Sequence, residues 1–187
     1  MATISGLYAT GEGISDNAED THYALTYLSA DTYGEQTLGS YGFRQTNGEL
    51  NPAWVNTWGT GRWITPVQDA NAYLKRGNYR WRLSFSIDSS LNDPNSGVVS
   101  LRYMSDNQTR IELNGSLVSE YTGEFLGWTT VSDISGFVSG SNYFDFIVNN
   151  QDAPFPSDQP TGLVVEFTSN FIGPAVTANA IMFSCNT

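Results

Sequence analysis

Apolar and polar residues alternate with a period of two over residues 79–87, where Tyr79, Trp81, Leu83, Phe85 and Ile87 interleave with Arg80, Arg82, Ser84 and Ser86. A period of two sends alternate side chains to opposite faces of an extended strand, whereas helical spacing would scatter the apolar set. The segment is therefore expected to lie in an antiparallel sheet with one face buried and the other wet. The alternation returns at Val99, Leu101 and Tyr103, and again at Ile111 and Leu113. It recurs at Phe144, Phe146 and Val148, with Asp145 on the opposite face, and at Leu163, Val165 and Phe167.

Turn chemistry separates these runs. The cluster Asp93-Pro94-Asn95-Ser96-Gly97 and the triplet Ser105-Asp106-Asn107 predict turns on either side of the Val99 strand. Asn114-Gly115 predicts a type I′ hairpin, because both residues tolerate positive φ, and Leu117 and Val118 should pair back. Residues 139–142 predict a turn before Tyr143, and Pro154, Pro156 and Pro160 mark an exposed loop over residues 151–160. Residues 22–28, 125–131 and 134–138 read as further strand segments, and Ala180-Ile181-Met182-Phe183 as a late apolar run beyond the breaker Gly173-Pro174. Residues 31–60 mix glycine, asparagine and aromatics without a period, so long loops are expected there. The expectation is an all-β chain, an antiparallel β-sandwich or jelly roll of about eight strands. It should form one domain over residues 1–187, with a loop-rich N-terminal third.

Composition agrees with that class. Aromatics make up 13% of the chain, which supplies the area for a packed interior, and Lys75 is the single lysine, so no segment reads as an ordinary surface helix. The formal net charge of -11 would repel phosphate backbones and anionic membranes, which argues against nucleic acid as a partner. No run approaches the roughly 18 apolar residues that would span a bilayer as a helix, so membrane insertion is not expected. Cys185 is the sole cysteine and leaves no internal disulfide to form. Residues 1–6 lack a basic patch and an apolar stretch, so any export signal is expected to be removed already or not needed.

Three marks in the second half resemble the galactose-binding-domain-like jelly rolls, which include ancillary sugar-binding domains of glycosidases and domains of bacterial surface proteins. They are Asp106-Asn107 followed by Ile111-Glu112-Leu113-Asn114-Gly115; residues 137–142 leading into Phe144-Asp145-Phe146; and Asn149-Asn150 followed by Pro160-Thr161-Gly162-Leu163. Trp63-Ile64-Thr65-Pro66, ahead of the Tyr79 strand, is also similar to that group. The resemblance implies a jelly roll whose ligand chemistry sits in its loops, and it transfers no individual contact residue.

Candidate chemistry is sparse. His22 is the only histidine and falls in an apparent strand, where a hydrogen-bonded structural role is expected, and no G-x-S-x-G elbow accompanies it. Glu112, Glu124, Asp133 and Glu166 lie on or beside strands, where exposed faces routinely carry carboxylates, so no enzymatic activity is expected. Asp16, Glu19 and Asp20 form part of the densest acidic stretch and offer hard oxygen ligands for calcium, though without EF-hand spacing; calcium is the one cofactor considered. Trp54, Trp58 and Trp63, with Asn56 and Arg62 among them, suit stacking on sugar rings, anchoring to another subunit, or a small folded core. The expected function is a non-enzymatic structural or adhesive subunit of a surface assembly, such as a phage virion decoration or tail protein or a bacterial surface layer. The alternative is a carbohydrate-binding module. Its partners would be other protein subunits or glycans, on a virion or at a cell surface.

Overall fold

In a computed structural model, residues 2–28, 37–150 and 159–175 are described. Those residues are all-β, with no helix. The strands are β1 (Glu19–Leu28), β2 (Tyr41–Arg44), β3 (Ile64–Thr65), β4 (Gly77–Ile87), β5 (Asn92–Asp106), β6 (Gln108–Leu113), β7 (Ser116–Thr122), β8 (Thr129–Ile134), β9 (Gly140–Asn150) and β10 (Gly162–Pro174). They form one antiparallel sheet in the order β7-β6-β9-β4-β1-β2-β3-β10-β5-β8. The terminal strands β7 and β8 come into contact, so the sheet is nearly closed and barrel-like.

β4 behaves as its alternation predicts. Tyr79, Trp81, Leu83, Phe85 and Ile87 are all buried, and they pair along β9 in a register that sets Trp81 opposite Phe146 and Leu83 opposite Phe144. The same core takes Tyr23 and Leu25 from β1, Leu101 and Tyr103 from β5, Ile111 from β6, and Leu163 and Val165 from β10. Full burial of each such side chain stabilises by about 1.5–3 kcal/mol before the entropy of ordering it is counted. The Phe144 and Phe167 rings, from opposite halves of the ladder, meet at 6.0 Å, so the curled sheet packs on itself. β1 joins the halves: residues 23–28 pair with β4, while Glu19, Asp20 and Ala24 pair with β2 across an irregularity.

The Asn114-Gly115 turn has φ of 52° and 79° and joins β6 to β7, as its chemistry requires. The 93–97 cluster does not separate two strands. It is a bulge inside β5, where Asn92 and Asp93 still pair with Pro174 and Gly173 while the residues up to Val98 are largely looped out. The Asp93 side chain accepts the Asn95 N–H at 3.1 Å, so the turn residues form an Asx turn without ending the strand. The short strands β2 and β3 arise in a region with no alternation, because they are held by partners on both sides and not by an amphipathic pattern. Residues 125–128 precede β8, which starts only at Thr129. The 180–183 run, Cys185 and most of the proline loop, with Pro154 and Pro156, lie outside the described residues.

Candidate functional site

The end of β5 and the start of β10 are covered on both faces. In β10 the consecutive residues Leu163, Val164, Val165 and Glu166 are all buried, which an amphipathic strand with one wet face would not show. The second cover is the chain between β2 and β3. It packs Trp54 and Trp63 against Met104 and Val164, joined by Ala70 from the loop after β3, with Leu50, Phe125 and Trp128 at the margin.

Local chemistry directs this segment. Asn51-Pro52-Ala53-Trp54 is a β-turn with proline at its second position, closed by the Trp54 N–H on Asn51 O at 2.9 Å. The turn delivers Trp54 onto Trp63, with ring centroids 4.5 Å apart and planes 23° from parallel. Each indole N–H is satisfied: Trp63 donates to Val55 O at 2.9 Å and Trp54 to Asp106 Oδ2 at 2.7 Å. A Cβ on Gly162 would sit 2.7 Å from the Trp54 ring, so the close approach of ring and strand requires glycine there.

A second anchor lies further along the segment. Glu166 is 7% exposed and accepts the Gly61 N–H at 2.9 Å. Its other oxygen takes Nε and Nη2 of Arg102 at 2.8 and 2.6 Å, and the Arg102 guanidinium lies 4.3 Å over the Trp128 ring. A side chain on Gly59 would place its Cβ 2.0 Å from Glu166 Oε1, which ties the segment tightly to the carboxylate. Glu166 is thus not the exposed strand carboxylate that its sequence position suggests. It lines a small cleft with Glu12, but both groups are engaged structurally, Glu12 by the Ala9 N–H at 2.8 Å.

The five candidate aromatic-segment residues therefore separate. Trp54 and Trp63 are buried and serve the cover's own packing. Arg62 directs Nη1 back to Gly59 O and Gly61 O, a local brace. Asn56 is exposed, and Trp58 is 84% exposed. Val55, 40% exposed, donates its N–H to Phe125 O at 3.3 Å, which brings it beside Leu126, 59% exposed. Of the three indoles, Trp58 alone is available to a partner.

The calcium candidates are not gathered into a site. Asp16 pairs with Arg44 at 3.0 Å, Glu19 is exposed, and buried Asp20 accepts the Gly11 N–H at 2.6 Å and the His22 N–H at 3.0 Å. No cluster of three histidine, cysteine, aspartate or glutamate side chains fit to hold a metal occurs among the described residues. His22 stacks on Tyr8 with centroids 4.0 Å apart, and its Nδ1 lies 2.9 Å from Asp20 Oδ1 without hydrogen-bond alignment. Burial raises the Asp20 pKa, a shift that the hydrogen bonds from Gly11 and His22 partly offset.

Asp106 was not distinguishable from other turn aspartates in the sequence. Burial under Trp54 pushes its carboxyl up to about 6, with the indole N–H opposing the shift. The indole that caps this carboxyl comes from 52 residues away in the chain. No protein-family model matches the sequence, and no curated protein matches it.

Proposed function

We propose that the chain is a non-enzymatic structural or adhesive subunit that assembles through the exposed face around Trp58, as in a virion or cell-surface layer. In this reading the two halves of the curled sheet act as the layers of a jelly roll similar to the galactose-binding-like folds. Their loops and cover carry the contacts.

The observation that carries the reading is the position of Trp58. A large apolar ring that is 84% exposed sits on a segment fixed by the Gly61 bond to Glu166 and the buried Trp63. Presenting the ring on a segment already ordered lowers the entropy lost on docking, and tryptophan is the residue type most enriched among interface hot spots. Val55 and Leu126 add exposed apolar area beside the same cover.

A net charge of -11 repels copies of the chain from one another, so self-association through an apolar face should strengthen as salt screens that repulsion. Sedimentation velocity over about a hundredfold range of concentration, at low and high salt, tests this. Concentration-dependent assembly that salt promotes and Trp58→Ala abolishes supports the proposal. A monomer under every condition overturns self-assembly through this face.

A further inference from the structure

Arg80 and Arg82 of β4 and Arg110 of β6 project from the outer face of the curled sheet, because Tyr79, Trp81, Leu83 and Ile111 beside them turn into the core. They are three of the chain's eight lysines and arginines. β9 runs between them, with Ile147 opposite both Arg80 and Arg110, and Asp145 opposite both Arg82 and Glu112. Tyr121 reaches over the same face from β7 and donates its hydroxyl to Asn78 Oδ1 at 3.4 Å.

Arg80 is the informative group. Arg82 grips Asp145 through Nε and Nη2 at 2.7 and 2.6 Å, and Arg110 pairs with Glu112 at 2.8 Å, so two of the three charges are compensated in place. Arg80 has no carboxylate within ion-pair distance among the described residues. Its side chain donates a long bond of 3.3 Å from Nη2 to Thr26 Oγ1, and its Nε has no partner. In a chain with 19 acidic and 8 basic residues, this face therefore keeps an unpaired guanidinium beside an apolar Ile147.

The cover with Trp58 lies on the opposite side of the molecule. In the ten-strand order β9 and β4 stand five places from β10 and β5, which in a nearly closed sheet sets their outer faces back to back. Exposed carboxylates accompany Trp58. Glu49 lies two residues after Asn47, whose side-chain amide holds both the N–H and the carbonyl of Thr57, and Glu124 precedes Phe125, whose carbonyl takes the Val55 N–H. The nearby cations are already engaged, Arg62 with carbonyls of its own segment and Arg102 with Glu166. Two covers brought face to face would oppose like charges, whereas the arginine face offers the opposite charge and a planar cation on which an indole stacks.

We propose that the outer face of β4, β9 and β6 receives the cover of a second copy of this chain, with the Trp58 ring on Arg80 and Ile147 and the flanking carboxylates toward Arg80 and Arg110. The inference rests on the reading of Trp58 as a docking residue and names the surface it docks on. Because the two faces point in opposite directions, the contact is head to tail and each copy keeps one free face of each kind. Such a contact repeats, giving a ring where the rotation closes and a filament where it does not.

The test is sedimentation velocity on the parent, Trp58→Ala, Arg80→Glu and an equimolar mixture of the two variants, at the concentration and salt at which the parent assembles. The parent should grow beyond a dimer. Each variant alone should associate at least about tenfold more weakly, because each lacks one side of every junction. The mixture should form a dimer and stop there, since the Trp58 of one variant meets the intact Arg80 of the other and both outer faces are then disabled. Arg80 gives up only a long bond to Thr26, so Arg80→Glu should melt with the parent; should it not fold, Arg80→Ala takes its place. A parent that stays monomeric overturns the docking reading and this inference together. A parent that Trp58→Ala dissociates but Arg80→Glu does not overturns this inference alone, as does a parent that stops at a dimer or a mixture that stays monomeric.

Discussion

Arg102 places both Nε and Nη2 on one oxygen of Glu166, at 2.8 and 2.6 Å, and so leaves the other carboxylate oxygen to the backbone N–H of Gly61. One side chain of β10 thereby joins a neighbouring strand to the segment that covers it. The arginine keeps one edge in solvent, so the pair escapes part of the desolvation cost of a fully buried ion pair. Glu166→Ala should cost about 2–4 kcal/mol in urea unfolding, because it strands the Gly61 N–H and the Arg102 charge together. Glu166→Gln retains an acceptor for Gly61 and should cost less, about 1–2 kcal/mol. Hydrogen exchange at Gly61 should accelerate in the alanine variant while the amides of β4 and β9 stay protected.

Trp54 and Trp58 are four positions apart and should respond very unequally to the same change. Trp54→Ala removes a ring stacked on Trp63 and a hydrogen bond to Asp106, and should destabilise by about 3–5 kcal/mol. Trp58→Ala removes a ring that is 84% exposed and should leave the unfolding free energy within about 0.5 kcal/mol. Equal effects in thermal or urea unfolding would contradict the assignment of one indole to the cover and the other to a partner.

That contrast marks how far the chain's pattern could be read. β4 and β9 were legible because alternation reports burial on one face, and every apolar position predicted inward in them is buried. The Asn114-Gly115 hairpin was legible because its constraint is local. β10 was misleading at Glu166, since alternation carries no information about a second cover arriving from a distant part of the chain. The three indoles looked alike for the same reason: their division depends on Gly162 and Val164, about a hundred residues away in sequence. The 93–97 cluster shows the converse, because turn chemistry fixes a local geometry but not whether the strand ends there.

Asn142 ties the 138–140 turn to the β6–β7 hairpin. Its Oδ1 accepts the Val138 N–H at 2.9 Å and Asn114 Nδ2 at 2.9 Å, while its Nδ2 donates to Val138 O at 2.7 Å and Gly140 O at 2.9 Å. Every polar atom of a buried side chain is thus used. Asn142→Asp keeps the shape but loses both donations and buries a charge, and should cost about 2–4 kcal/mol at neutral pH. Acidification should restore part of that loss, because the protonated acid regains one donor. A variant as stable as the parent at neutral pH would show that the network contributes little.

Asp106 should make stability fall as pH rises. Its folded pKa of about 6 exceeds the ordinary aspartate value of 3.8, so the folded state binds the proton more tightly than the unfolded state. The resulting stabilisation is fully present below the unfolded pKa and is lost as pH rises through about 6. Buried Asp20 is shifted the same way and adds to the slope. Asp106→Asn keeps an oxygen for the Trp54 N–H without the desolvated charge, so it should stabilise the protein at neutral pH by up to about 2–3 kcal/mol. It should change little near about pH 4, where the parent carboxyl is already protonated in the fold. Urea unfolding of parent and variant from about pH 4 to about pH 8 separates the two cases. A difference that grows with pH places the strained charge at Asp106, and a constant difference would mean that the substitution acts through packing under Trp54 alone.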